Sequence, residues 1–423
     1  MTKISKKFRH LALLPLYALF FFIGAVTVQA ATYYVATTGK DAQTCVTAQT
    51  ITTPYRTIAA GVECLNPGDT LYIRSGTWTE QINMTGKSGT AGNYITIAAY
   101  PGETVTIRTT GNTPPTAPVA SLGFVIYDGF VFDGVNTSDN NLAAINFNSG
   151  EHDLIYQNNE IKNFKGHGFY VQGNNITLRN NTIHDQVSVC QCPGERWYGL
   201  YFHHGSNLLF EGNNVYDNPG GGIQAYPGPI TNLIIRNNKI HDNNTLLSSP
   251  IGGIVILEVS GTPITGVQVY NNLIYNNGSA PTHGDSPGIR VSHLVDGTKI
   301  WNNTIYGNDG WGIKIEASTA TNTVVQNNIV YQNTMGAVID VGTGTILSNN
   351  LTSNPNFVNA SAFDFNLQGS SPAVDAGVPL SNVKTDFKNT PRPQGVTHDI
   401  GAFERGTGSD DTPPSPPQSL RIN

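Results

Sequence analysis

Paired asparagines recur down this chain, and few folds have a use for that pattern. The pairs are Asn158 and Asn159, Asn180 and Asn181, Asn213 and Asn214, Asn237 and Asn238, Asn271 and Asn272, Asn302 and Asn303, Asn327 and Asn328, and Asn349 and Asn350. Each follows a short β-rich stretch and precedes a second short apolar stretch and a polar turn, at spacings of about 22 to 34 residues. A period of this size belongs to solenoids, in which each repeat buries its apolar face only against its neighbours. Asn suits a sharp corner between two strands because it tolerates the left-handed backbone region better than other non-glycine residues. Identical amides stacked coil upon coil then hydrogen-bond along the axis.

Every copy also carries a short strand, usually led by glycine, such as Gly168–Gln172, Gly199–His203, Gly253–Leu257, Gly288–Ser292 and Gly312–Glu316. With a period of two, the second and fourth members of each strand are apolar and face a core, so the third and fifth form an outward sheet. The fold expected is all-β, a right-handed parallel β-helix with an N-terminal helical cap.

The ends of the chain set its organisation. Residues 1–30 have a basic start, an apolar run from Leu11 to Val28 and the small-residue exit Val28-Gln29-Ala30, the signature of a cleaved signal peptide and of a secreted protein. Residues 31–110 read as the N-terminal cap and first coils, with an amphipathic helix over Thr57–Leu65 to plug the open end. Residues 111–354 read as the β-helix proper, 355–405 as an irregular C-terminal cap, and 406–423 as a Pro- and Ser-rich linker or disordered tail. Cys45 and Cys64 flank the helix and are expected to form a disulfide; Cys190 and Cys192, one residue apart in a loop, leave a small-ring disulfide, free thiols and metal binding all open. Only 12% of residues are charged and the net charge is −6, which argues against nucleic acid or an anionic membrane as a partner.

The entry segment Thr32-Tyr33-Tyr34-Val35, Pro54-Tyr55-Arg56-Thr57-Ile58 and Pro67-Gly68-Asp69-Thr70 resembles the N-terminal region of the pectate-lyase-like right-handed β-helix superfamily. The exit segment Ser371-Pro372-Ala373-Val374-Asp375-Ala376-Gly377 and Asp399-Ile400-Gly401-Ala402-Phe403-Glu404 is similar to the C-terminal cap of such exported carbohydrate-active proteins. The resemblance spans nearly the whole mature chain and implies the fold; members include polysaccharide lyases, glycoside hydrolases, alginate C5-epimerases and non-catalytic adhesins, so fold alone selects no activity.

Two clusters stand out on the outward sheet, whose coil spacing of about 4.8 Å is close to the rise of an extended glycan. The first contains Tyr170, Gln172, Tyr201, His203, Gln224 and Tyr226, with His167, Tyr198 and His204 at its margins. Rings stack on sugar faces, amides bind hydroxyls, and a Tyr with a His supplies the acid and base of a β-elimination; exposed Tyr and Gln are also ordinary strand surface. Tyr198-Gly199-Leu200-Tyr201-Phe202-His203 resembles the Tyr-Gly-Phe-Asp-Pro-His motif of alginate C5-epimerases at Tyr198, Gly199 and His203, but Tyr201 stands where that motif is acidic. Arg196, in a long insertion beside this face, is placed to neutralise a substrate carboxylate. The second cluster sets Arg290 over Lys314, with Ser292, Glu316 and Asp340 alongside; the resemblance implies a basic residue taking an α-proton, and Glu316 with Asp340 holding one Ca²⁺, against a plain ion-pair ladder. Three coils, on the order of 14 Å, separate His203 from Arg290, so they do not share one bond-breaking centre. His184–Asp185, Asp217 and His241–Asp242 recur at one position of the repeat and read as turns.

The reading that follows is a secreted, monomeric polysaccharide lyase acting on an acidic glycan such as pectate or alginate, with His203, Tyr201, Lys314 and Arg290 as catalytic candidates. Hydrolase, C5-epimerase and non-catalytic glycan-binding β-helix are the rivals.

Overall fold

The computed structural model describes residues 29–138, 143–187, 197–244, 251–278 and 285–406. Among these, each coil is a three-sided turn of parallel strands. Twenty-one strands form a continuous sheet wrapped over two sides, and ten form the third. One coil shows the order: Phe169–Asn174 on the first face, Thr177–Arg179 on the second, the corner Asn180-Asn181, then Thr182–His184 on the third. Each strand pairs in parallel with its counterpart one coil on, as Leu178 does with Phe210 and Ile183 with Val215. The core is a continuous column of side chains from Tyr33 to Val330, mostly Ile, Val, Leu and Phe.

The corner asparagines divide the labour expected of them. The first of each pair is in the left-handed region (φ of 57° at Asn237, 53° at Asn271) and faces outward. The second is buried, and its amide donates to the carboxamide oxygen of the next: Asn181 to Asn213 at 3.0 Å, Asn213 to Asn238 at 3.0 Å, Asn238 to Asn272 at 2.9 Å, and on through Asn303 and Asn328 to Asn350. One corner departs from the sequence reading. There the pair is Gly212 and Asn213, not Asn213 and Asn214, since a left-handed corner accepts Gly as readily as Asn. Asn214 instead begins the next strand.

A second amide ladder, not anticipated, runs up the opposite corner: Asn218 to Asn243 at 2.9 Å, then Asn277, Asn308 and Asn333. Each stands five residues after the first ladder's Asn, a spacing present in the sequence. The glycines that lead the outward strands belong to this ladder. A Cβ at Gly253 would lie 2.9 Å from the Asn277 amide and from the Gly288 carbonyl, so only glycine lets the coils close up. The recurring Asp185, Asp217 and Asp242 are left-handed turn residues (φ 51° at each), in keeping with a turn role.

At the N-terminal end the helix Ile58–Glu63 starts from Thr57, whose hydroxyl caps the Ala60 amide. It lies so close on the first coil that a Cβ at Gly61 would meet Val35 at 2.6 Å and Leu71 at 2.8 Å. Cys45 and Cys64 are disulfide-bonded, with Cα atoms 5.6 Å apart. Cys190 and Cys192 lie outside the described residues, as do the apolar run from Leu11 to Val28 and the residues after Gly406. Among described residues no helix is long and apolar enough to cross a membrane.

The 355–405 segment lies along the side of the solenoid instead of across its open end, where Ile346 and Leu347 stay about half exposed (56% and 48%). Its apolar residues, Phe357, Phe365, Ile400 and Phe403, pack on Leu273, Tyr275 and Ile329. The outward corner amides draw it there. Asn237 donates to the Asp386 carbonyl (3.2 Å), Asn271 to Thr385 (2.7 Å), Asn302 to Asp399 (2.9 Å) and Asn327 to Val378 (2.8 Å). A buried Arg392–Glu404 ion pair (2.7 Å) fixes the segment's own shape.

The ladder yields a stability test. Replacing Asn272 by Ala takes the acceptor from the Asn238 backbone N–H and side-chain amide and the donor from the Ile235 carbonyl, all away from water, and is expected to cost about 3 kcal/mol or more in urea denaturation. Asn349→Gly, at an exposed left-handed corner, is expected to cost under about 1 kcal/mol.

Candidate functional site

The period-two register stacks the third strand members in one column, of which Gln224 and Val255 are buried and not outward as expected. Tyr170 pairs with Tyr201, Tyr201 with Gln224, Gln224 with Val255, Val255 with Arg290, and Arg290 with Lys314. Val255 is buried with Ile251 and Tyr198, and it separates the polar column into two patches.

The first patch turns on a β-bulge. Val171 pairs with Phe202, but Gln172 pairs with His204, leaving His203 as the extra residue. A bulge re-aims side chains, and it brings the two imidazoles together, with Nδ1 to Nδ1 at 2.6 Å. One Nδ1 donates and the other accepts, so the pair shares a single proton along this contact. Burial and then the neighbouring His204 hold His203 below its usual range, and burial does the same to His204. Both are therefore neutral near pH 7.

Tyr170 completes the arrangement. Its ring lies 5.2 Å from His203 and stacks on Tyr201 at 5.4 Å with an interplanar angle of 8°. Burial raises its hydroxyl above the usual value, so it keeps its proton. Tyr201 is farther from His203, at 6.3 Å between centroids. Tyr170, expected only as a binding residue, is thus the tyrosine nearer the histidine; the bulge that produces this leaves no mark in the sequence pattern. Tyr226, on the next coil, donates its N–H to the Phe202 carbonyl (2.8 Å).

Gln224, expected within the cluster, and Tyr198, expected at its margin, have a different place from the one expected. Tyr198 is only 1% exposed and Gln224 5%, so they pack under or within the face and do not project from it. His167 lies behind the patch, its ring 4.9 Å from Tyr201, 5.7 Å from Tyr198 and 5.3 Å from Trp197. Its Nδ1 accepts the Tyr198 N–H (3.1 Å), and burial lowers its pKa from 6.5 to about 3. Arg196 lies outside the described residues.

The second patch is a closed network of ion pairs. Arg290 bonds Glu316, Lys314 bonds Asp285, and Lys314 also lies 3.9 Å from Glu316. Burial pushes the Glu316 carboxyl up, but the hydrogen bond and charge of Arg290 outweigh it and hold the group below its usual range. Asp285 was missed because it stands before the strand, outside the repeated register. Ser292 is buried, and its hydroxyl meets His293 Nδ1 at 2.7 Å. Asp340 faces another way, accepting the Gly342 N–H (2.8 Å) and the Thr345 hydroxyl (3.1 Å). Calcium requires six to eight oxygens, and Glu316 and Asp340, each engaged elsewhere, do not make such a set. Among the described residues no three His, Cys, Asp or Glu side chains converge.

A family model described as the right-handed beta helix region matches residues 123–293. The fold is a right-handed parallel β-helix. Pectate lyase Pel9A aligns at 17% identity over 90% of this chain and 98% of its own, with a TM-score of 0.56. A rhamnogalacturonan lyase aligns at 17% over 86% and 99%, with 0.58. A glycoside hydrolase aligns at 8% over 80% and 99%, with 0.53. No curated protein matches by sequence. At such identities this β-helix shares the backbone of those enzymes, and its chemistry has to be argued from its own side chains.

His167 gives a pH test. Its folded-state pKa is below the unfolded value, so the stability it lends is complete above about pH 6.5 and is lost as pH falls toward about 3. Denaturation midpoints measured from pH 7 to 4 are expected to fall less steeply in His167→Asn than in the parent chain; parallel slopes would contradict the burial.

Proposed function

We propose that this β-helix is a secreted polysaccharide lyase that cleaves a uronate-containing glycan by β-elimination at the Tyr170–His203 patch. The observation that carries the reading is a neutral histidine beside a protonated tyrosine on an outward bulge, with cations farther along the same face. In the reaction, neutral His203 takes the C5 proton, which is acidified by the uronate carboxyl. The electron pair forms the C4–C5 double bond, the C4–O bond breaks, and the departing oxygen takes the proton of Tyr170. Tyr201 stacks on Tyr170 and offers a sugar-facing ring, while Gln172 and Tyr226 bind hydroxyls. His204 acts through its hydrogen bond, fixing the tautomer and orientation of His203.

Arg290 and Lys314, three coils away, act as a subsite for a further uronate. Lys314 is a poor base while it is paired with Asp285 and Glu316. Hydrolysis needs a carboxyl that carries a proton at working pH, and Glu316, held below its usual range, is not one. The lyase structures that share this backbone lend support to the choice, and the leader-like first thirty residues suit an exported enzyme.

Pectate, alginate and other uronate polymers, with and without Ca²⁺, followed by ultraviolet absorbance of the unsaturated product, test the reading. Silence on every polymer sinks it. Where a polymer responds, His203→Ala and Tyr170→Phe are each expected to lower kcat by about 10²-fold or more, and Lys314→Ala to act mainly on KM. Because the base must be unprotonated and its pKa is lowered, the acid limb of the pH–rate profile is expected below pH 6.5. Loss of kcat in Lys314→Ala alone would move the centre to the second patch.

A further inference from the structure

A cleft opens on the second face of the coil, at the break in the outward asparagine column. From Asn237 to Asn349 the corner amides are covered by the returning C-terminal segment. One coil below Asn237 the corner residue is Gly212, with no side chain to offer. Here the segment ends its descent, and a cleft of about 560 Å³ lies between it and the coils.

The walls of the cleft carry hydrogen-bonding groups. One side is a stacked row from three coils: Glu211 bonds Arg236 at 2.6 Å, and Arg236 donates to the Tyr270 hydroxyl at 3.0 Å. This row is internally neutralised. The other side is Lys384 and Asn389, with Asn180 below. Among the described residues, the Lys384 ammonium and the side-chain amides of Asn180 and Asn389 make no hydrogen bond or ion pair within the protein. The cleft therefore offers one uncompensated cation and several amide donors and acceptors, beside a guanidinium and a tyrosine hydroxyl held in place.

We infer that this cleft binds an acidic sugar residue, its carboxylate at Lys384 and its hydroxyls at the asparagine amides, as a non-catalytic subsite for the polymer. A divided set of neutral donors and acceptors matches sugar hydroxyls, which both donate and accept, and the single free cation selects the charged sugar over a neutral one. The inference rests on the reading that the substrate is a uronate glycan, but its site is on a different face from the Tyr170–His203 patch.

The test uses the full chain carrying His203→Ala, titrated calorimetrically with tetragalacturonate and tetramannuronate, and with xylotetraose as the neutral control. Two changes report on the cleft. Lys384→Ala removes the cation. Gly212→Asn fills the break with a residue that the left-handed corner accepts in neighbouring coils. Each is expected to weaken binding of at least one acidic tetramer fivefold or more and to remove a salt-dependent part of it, leaving turnover of a short substrate by the His203 parent unchanged. An isotherm unaltered by both changes, or no binding of either acidic tetramer, overturns the inference; so does equal binding of xylotetraose. Cleft binding without any lyase activity would uphold the site while refuting the lyase reading, and lyase activity with an unaltered isotherm would do the reverse.

Discussion

The whole molecule depends on one interaction, the hydrogen bond from a buried asparagine amide to the same group one coil away. A carboxamide has two donors and an acceptor with two lone pairs, enough to bond backbone groups of the preceding coil and the amide oxygen of the next together. Asn272 does this: its amide reaches the Ile235 carbonyl at 2.9 Å and the Asn303 oxygen at 2.9 Å, while its own oxygen takes the Asn238 backbone N–H at 3.0 Å. Buried polar groups this fully paired are not a burden on the core. They fix the axial register, since an amide displaced by a fraction of the coil spacing loses both partners. Every outward column inherits its alignment from that ladder.

Much of this was legible in the sequence. Left-handed corners favour Asn or Gly and strand sides alternate, and both rules leave a mark every coil, so the fold and the column from Tyr170 to Lys314 could be read directly, though not the burial of Gln224 and Val255 within it. What escaped notice was either a substitution within the rule or an exception to it. Gly212 satisfies the corner as Asn does, which shifted one pair by a residue. The second ladder, from Asn218 to Asn333, was hidden by its variable company of His, Tyr and Gln in the preceding turn. The bulge at His203 has no periodic signature, because it arises where one strand holds a residue more than its neighbour. Asp285 lies outside the repeat, and contacts made across coils by such residues follow no register.

The two outward patches show what a regular scaffold contributes to chemistry. Its periodic part supplies a flat, stiff row of side chains suited to a repeating ligand. The proposed reactivity instead comes from a local fault. At the bulge two histidines meet at Nδ1, lose basicity together and stand against Tyr170. By contrast, Arg290, Lys314 and Glu316 neutralise one another within the regular stack, joined by Asp285 from outside the repeat. Regular stacking favours compensation among charges, and an irregularity permits a poised group.

The outward corner amides hold the C-terminal segment by its backbone carbonyls and seldom by its side chains. A carbonyl is the same whatever residue bears it, so the rail is blind to the composition of what it carries. Its teeth recur once per coil, about every 4.8 Å, and a longer solenoid would only have more of them. Coils could be gained or lost by duplication without redesigning the segment's sequence, because the next tooth is always the same amide. Contacts within the segment, among them the buried pair Arg392 and Glu404 and the Asp375 N–H on Asp399, tell it where to fold upon itself.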